Sequence, residues 1–229
     1  MTYQLQFGEL AEYAGMFASG AATTLALTAV STVLGLSLGV LGAAAHDTRA
    51  PGLAWLRGAT GAYVEAIRNT PFLVQLFFVF FGLPALGIHI GEVTAAVLAM
   101  TLNLGAYSVE IVRAGMAAVP RGHHEAAAAL AMSRAQAFRH VVLPQAFAKV
   151  FPALTSQIVI TMLGSAVVSQ ISVTDLTYAA SYIQSRNFRA FETYFVITLA
   201  YLAMALVLRF ALNSAGRRLF ARRVAGGAR

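Results

Sequence analysis

The 229-residue sequence has no cysteine, so disulfides, thiolate catalysis and cysteine-ligated metal are excluded on this chain. Charge is scarce too. Only 11% of the residues are Asp, Glu, Lys or Arg, where a soluble domain carries about 25%. The motifs of catalysis are missing. There is no GxxxxGK[ST] phosphate loop, no HExxH and no GxSxG. His123 and His124 are adjacent rather than four apart, and no carboxylate completes a metal-binding set with His140. The sequence therefore predicts no catalytic residue, no metal ligand and no cofactor on this chain. No positively charged n-region precedes the first apolar run, which is of full spanning length, so the start does not read as a signal peptide. No linker or low-complexity block interrupts residues 1–229, which read as one domain.

What is abundant is apolar: 59% of the chain, in long runs. A helix needs about 20 mostly apolar residues to cross the bilayer core. Five segments qualify, at about 17–45, 63–84, 93–113, 150–172 and 192–213. An odd number places the termini on opposite sides. Basic residues choose the side. Nothing before Arg49 is basic. Arg49 and Arg57 lie in the first loop, no Lys or Arg lies around Pro84 to Glu92, and Arg121, Arg134, Arg139 and Lys149 lie in the third loop. The tail carries Arg217, Arg218, Arg222, Arg223 and Arg229, and only Arg186 and Arg189 oppose the pattern. The alternation predicts an outer N-terminus and a cytoplasmic C-terminus. Attraction to anionic lipid accounts for the basic tail without nucleic acid. Residues 1–16 carry a weak amphipathic pattern suited to the outer surface.

Several spans hold polar or small residues at helical spacing. Gly35 and Gly39 let helix backbones approach closely. Pro71 follows Asn69-Thr70 and sets Tyr63–Arg68 apart from the apolar helix after it. Within that segment Glu65 and Arg68 are three apart and suited to pair. Asn103, Tyr107 and Glu110 share one face of the third span, with Arg113 three residues beyond Glu110. In the fourth span Gln157, Thr161, Ser165 and Ser169 form a stripe. A polar face of this kind lines a solute pathway or supplies interhelical hydrogen bonds and a packing seam. Asn103, Tyr107, Gln157, Thr161, Ser165 and Ser169 are the pathway candidates.

The segment Glu125–Pro144 stands out as a charged, alanine-rich loop between spans. Alanine favours helix, and glutamate near a helix start complements the dipole. One helix is predicted from about His123. A second, capped by Ser133, runs from Arg134 to Val142 and ends before Pro144.

Here the sequence resembles the permease subunits of bacterial ABC importers. Their loop pattern is E-A-A, three residues, Gly, nine residues, Ile-x-Leu-Pro. This chain has Glu125-Ala126-Ala127, Ala131 in the glycine position, Val141 in the isoleucine position and Leu143-Pro144. Arg68-Asn69-Thr70-Pro71-Phe72-Leu73-Val74-Gln75 resembles the R-G-T-P-x-L-V-Q of the polar amino-acid subfamily (histidine, glutamine, glutamate, arginine and opine type). Gly105-Ala106-Tyr107, Glu110 and Arg113-Ala114-Gly115 resemble its G-A-Y-x-x-E-x-x-R-A-G. The likeness covers about residues 20–220.

The resemblance implies an all-α membrane protein, the type I importer transmembrane domain, with a cytoplasmic coupling loop at about 118–146. It implies a bacterial inner-membrane location and four kinds of partner: ABC ATPase subunits, a periplasmic or extracellular amino-acid-binding protein, a second permease subunit, and the lipid bilayer. ATP and magnesium would sit on the ATPase. Glu125, Ala126, Ala127, Ala131, Arg134, Arg139, Leu143 and Pro144 would couple the two. The chain departs from the subfamily's L-K-D-T-S-L in the fourth span, where it has Met162-Leu163-Gly164-Ser165-Ala166-Val167. No role of that Lys-Asp pair carries over. The alternative from the residues alone is an ATP-independent transporter or channel for a small polar solute.

Overall fold

The computed structural model describes residues 4–47 and 53–224, without the side chains of His124 and of residues 220–224. Arg49 and Arg229, which bear on the charge alternation, lie outside the described residues, as do the side chains of Arg222 and Arg223.

The described chain is helical throughout. In order come α1 (Ala14–Asp47), α2 (Ala54–Arg68), α3 (Phe72–Ala85), α4 (Glu92–Ala117), α5 (Arg121–Ala129), α6 (Arg134–Ala137), α7 (Leu143–Gly164), α8 (Leu176–Asn187) and α9 (Ala190–Val224). Four stretches are long and apolar enough to cross a membrane: Gly8–Asp47, Glu92–Ala117, Arg134–Ile171 and Ala190–Leu219. The second predicted span is not one helix. It is α2 and α3, bent by 111°, and they make a fifth span only when taken together. The segment set apart before Pro71 is also longer than predicted, starting at Ala54.

The centre of the fold is α4, which packs against α1, α2, α3 and α7. Its most apolar window is 61% buried, whereas that of α9 is 6% buried and presents its side chains outward. Large apolar side chains on the outside of such a helix suit lipid. The α1–α4 seam depends on glycine. A methyl group on Gly39 would stand 2.3 Å from Ser108 Cβ, and one on Gly35 would stand 3.0 Å from Leu104. The predicted close approach at these two residues is thus the contact between α1 and α4.

Past α7 the chain tightens into a 3-10 turn, Ser165–Ile171. Asp175 then caps α8, accepting from the Tyr178 N–H at 2.8 Å and the Tyr201 hydroxyl at 3.2 Å. Burial pushes its carboxyl above the usual range. At the start of α9 the buried Glu192 accepts from the Gln6 N–H at 3.1 Å and pairs with Arg189 at 3.3 Å. These bonds hold the N-terminal segment, including the 3-10 turn Gly8–Tyr13, against α9.

Candidate functional site

The last carbonyls of a helix lack intrahelical partners. At the end of α2 side chains bond three of the last carbonyls, of which Glu65 O also accepts from the Asn69 N–H at 3.2 Å. Asn69 Nδ2 donates to Glu65 O at 2.8 Å, Thr70 Oγ1 to Ala66 O at 2.7 Å, and Gln75 Nε2 to Ile67 O at 2.7 Å. Gln75 Nε2 also donates to Thr70 O at 2.9 Å, across the break. Pro71 is extended (φ −64°, ψ 139°) and stands as the N-cap of α3. A helix break inside a membrane domain is tolerable where the freed groups are met in this way.

Gln75 then reaches a third element. Its Oε1 accepts from Asn103 Nδ2 of α4 at 2.9 Å. The mid-span amide of Asn103 therefore has an interhelical partner, and it also lines a cavity. That cavity measures about 430 Å³ and lies between the break, α4 and α7, with walls from Thr70, Phe72, Asn103, Tyr107, Gln157 and Thr161 among others. Four of the six pathway candidates thus come together. Ser165 and Ser169 do not join them. Their hydroxyls turn back onto the carbonyls of Met162 (2.7 Å) and Ala166 (2.8 Å), because the chain leaves α-helix at Gly164 and the even four-residue stripe ends there.

Below this cavity the face of α4 continues. Glu110 bonds Arg113, the partner its spacing predicts. The predicted Glu65–Arg68 pair does not form. Glu65 accepts from Asn69 at 2.8 Å, and Arg68 turns to Glu110 at 3.4 Å. The break explains the exchange. Asn69, in the turn just past α2, is brought back onto Glu65, while the end of α2 lies against α4. The Arg68 guanidinium also lies 5.6 Å from the centre of the Tyr107 ring. A second cavity, about 540 Å³, opens on the side of the 118–146 loop, with His46, Asp47, Glu110, Arg113, Arg121 and Val142 in its wall.

The loop itself starts at Pro120, the N-cap of α5. Of its candidates Ala127 is buried, at 3% exposure, while Glu125, Ala126, Ala131, Arg134 and Arg139 are exposed. Leu130 is 76% exposed, so α5 presents a small-residue face with one large apolar tip. Its C-terminus closes with two bonds, Ala131 N–H to Ala128 O at 2.9 Å and Met132 N–H to Ala127 O at 3.1 Å. This is a Schellman ending, which requires a left-handed residue after the cap. Ala131 is that residue, with φ +52°. The family pattern has glycine here for a physical reason, and this chain adopts the same turn with a methyl group added.

Ser133 caps α6 as predicted, with Gln136 closing a capping box. The helix does not end before Pro144, however. The chain passes through a π turn, Phe138–Val142, into α7, with Leu143 N–H bonded to Phe138 O. The wider turn makes room for the proline ring and shifts the bond that proline cannot make. Leu143 and Pro144 are therefore the root of a spanning helix, only partly exposed. Val142 and Ala146 pack with Ala43, Val112, Met116 and Val119, which joins this root to α1 and α4.

Residues 35–223 match the family described as the inner membrane component of binding-protein-dependent transport systems. The chain belongs to this family. It is 37% identical over 207 residues to the probable amino-acid ABC transporter permease protein y4tF of Sinorhizobium fredii (strain NBRC 101917 / NGR234), covering 87% of this chain and 85% of that one. It is 34% identical over 203 residues to the glutamine transport system permease protein GlnP of Escherichia coli (strain K12), covering 87% and 91%. Among solved structures, a crystal structure described as an amino acid ABC transporter with histidines superposes with a TM-score of 0.84 at 36% identity, over 94% of this chain and all of that one. This permease is thus an all-α ABC importer transmembrane domain, and the ATP-independent reading is set aside.

For this permease the sequence marked Asn103, Gln157 and the loop. Gln75, which joins the break to the cavity, entered only as the end of the Arg68–Gln75 pattern, and Arg68 was not marked as the partner of Glu110. The spacing of Gln75, four residues after Pro71, was the available signal: a donor there lies one turn above the exposed carbonyls.

Proposed function

We propose that this permease forms the path for an amino acid and is driven by separate ATPase subunits that dock on the loop at 118–146. The observation that carries this reading is the exposed α5–α6 unit, in which Ala127 is buried, and which leads directly into Val142, part of the same core that holds α4 and α7. A push on the loop is thereby delivered to two helices that wall the cavity. Glu125 contacts or orients the ATPase, Ala126 to Leu130 form the docking face, and Arg134 and Arg139 make charged contacts. The loop side is cytoplasmic, and the C-terminus shares that side. A second permease subunit completes the pathway, and a binding protein delivers the solute from outside. Magnesium and ATP are bound by the ATPase. In the alternating-access cycle, ATP draws the ATPase subunits together, the loops follow, and the cavity opens outward.

The cavity supports a small polar solute. Asn103, Gln157, Thr70 and Thr161 are among the wall residues of a space of about 430 Å³, enough for a molecule of amino-acid size. Relatives named for amino-acid and glutamine transport support the same solute class. Glu125→Lys is the test. In vesicles holding the complete complex, this variant should assemble and hydrolyse ATP but lose ATP-driven uptake. Coupled uptake at the parent rate would remove Glu125 from the contact.

A further inference from the structure

The two cavities follow one face of α4. Asn103 and Tyr107 line the first, while Glu110, Arg113, Ala114 and Ala117 line the second. From Asn103 to Ala117 this face runs about 21 Å at the α-helical rise. Between the cavities one side chain from another element crosses it. Arg68, the last residue of α2, lies over the Tyr107 ring and reaches Glu110. It thus touches one wall residue of each cavity, Tyr107 of the first and Glu110 of the second. The mid-span chamber has no Asp, Glu, Lys or Arg among its described lining residues. The loop-side chamber carries both signs, Asp47 and Glu110 with Arg113 and Arg121.

We propose that Arg68, laid across Tyr107 and Glu110, is the inner gate of the pathway. It separates the solute chamber from the exit chamber and opens when α2 and α4 move apart. This rests on the pathway reading above. Three features suit Arg68 to the task. It belongs to α2, a helix distinct from α3, which it meets at a bent break. Its ion pair is only partly buried, with side-chain exposures of 40% for Arg68 and 35% for Glu110, so opening does not strand charges in a dry interior. Glu110 keeps Arg113 as a partner while Arg68 swings away.

The experiment is passive solute leak in vesicles that hold the complete complex arrested with ATP and vanadate, the state in which the outer side is open and the inner gate alone holds. Arg68→Gln should raise leak of labelled glutamine about fivefold, which corresponds to about 1 kcal/mol for a partly exposed ion pair. Arg68→Lys, which keeps the cation, should stay near the parent. The cysteine-free chain allows a second arm. Arg68→Cys with Glu110→Cys should leak until a short bis(methanethiosulfonate) links the pair, each Cys thiol forming one disulfide with the reagent and expelling one methanesulfinate. Linkage should then seal the leak and stop ATP-driven uptake, and reduction should restore both. Parent-level leak in Arg68→Gln, or a linked pair that still transports, would overturn the gate. Failure of the parent complex to take up solute with ATP and binding protein would instead overturn the pathway reading.

Discussion

At Pro71 the chain bends by 111° between α2 and α3, whereas through Pro144 and Pro152 one helical run continues from Arg134 to Ile171. All three prolines lack the same N–H and carry the same ring. The difference lies in which groups meet the carbonyls before each proline. Before Pro71 stand Asn69 and Thr70, with Gln75 after it, and their side chains take the carbonyls of Glu65, Ala66 and Ile67. Around Pro144 the side chains of Arg139, His140 and Gln145 take none of the nearby carbonyls, and the backbone absorbs the misfit in a π turn. A proline offers a break; nearby amide and hydroxyl donors decide whether the chain accepts it. The functional outcome differs accordingly. The break contributes Thr70 and Phe72 to the cavity wall, while the continuous helix joins the loop to the same wall through Gln157 and Thr161.

The largest test of this comparison is Gln75→Leu. The change removes donors to Ile67 O and Thr70 O and the acceptor for Asn103. At about 1 kcal/mol net per hydrogen bond, the loss is about 2–3 kcal/mol. The thermal midpoint of the purified complex should fall by several degrees. An unshifted midpoint would mean that the bend is held by apolar packing and not by side-chain capping. Thr70→Val is the smaller cut. It removes two bonds, Oγ1 to Ala66 O and Gln75 Nε2 to Oγ1, but Gln75 Nε2 keeps its two carbonyl acceptors, so the change, which keeps the volume, should cost about 1 kcal/mol. A loss as large as that of Gln75→Leu would contradict the ranking.

These residues also mark where sequence reasoning reached and where it stopped. Apolar runs located the four continuous spans, because a spanning helix must show about 20 apolar residues whatever its neighbours are, but the run at 63–84 did not show the bend that divides it. Gly35 and Gly39 announced a close contact, and the structure supplied α4 as the partner. Helix periodicity put Asn103 and Tyr107 on one face correctly, since periodicity is a local property. It failed at Ser165 and Ser169, where the helix tightens and the period changes. It also failed for Arg68, whose partner Glu110 lies 42 positions away in the chain, beyond any i, i+3 rule. The family pattern located the loop, but only the backbone showed why position 131 prefers glycine.

Ala131 is a third way to end a helix, by backbone alone, and it sharpens the comparison from the other side. With φ +52° the alanine sits in the left-handed region, where a non-glycine residue costs about 1 kcal/mol. Ala131→Gly should therefore raise the stability of the complex by up to about 1 kcal/mol, less what glycine loses in unfolded-chain entropy. Coupling of uptake to hydrolysis should hold, because the turn is already formed. A fall in the thermal midpoint would show that the Ala131 methyl group makes contacts that outweigh its strain.

Pro144→Ala carries the smallest expected effect. If side-chain donors decide whether a proline breaks a helix, removing this proline should change little, because none act there. The restored N–H finds a carbonyl within the existing helical run, and the π turn relaxes toward α-helix. Stability should stay within about 0.5 kcal/mol of the parent. Spin labels on Arg139→Cys and Ala153→Cys, both exposed positions flanking the proline, should report a distance still fitting one continuous helix. A new bend, or a large loss of stability, would show that the proline itself sets the path of the chain from loop to span. The contrast with Pro71 would then rest on the ring and not on its neighbours.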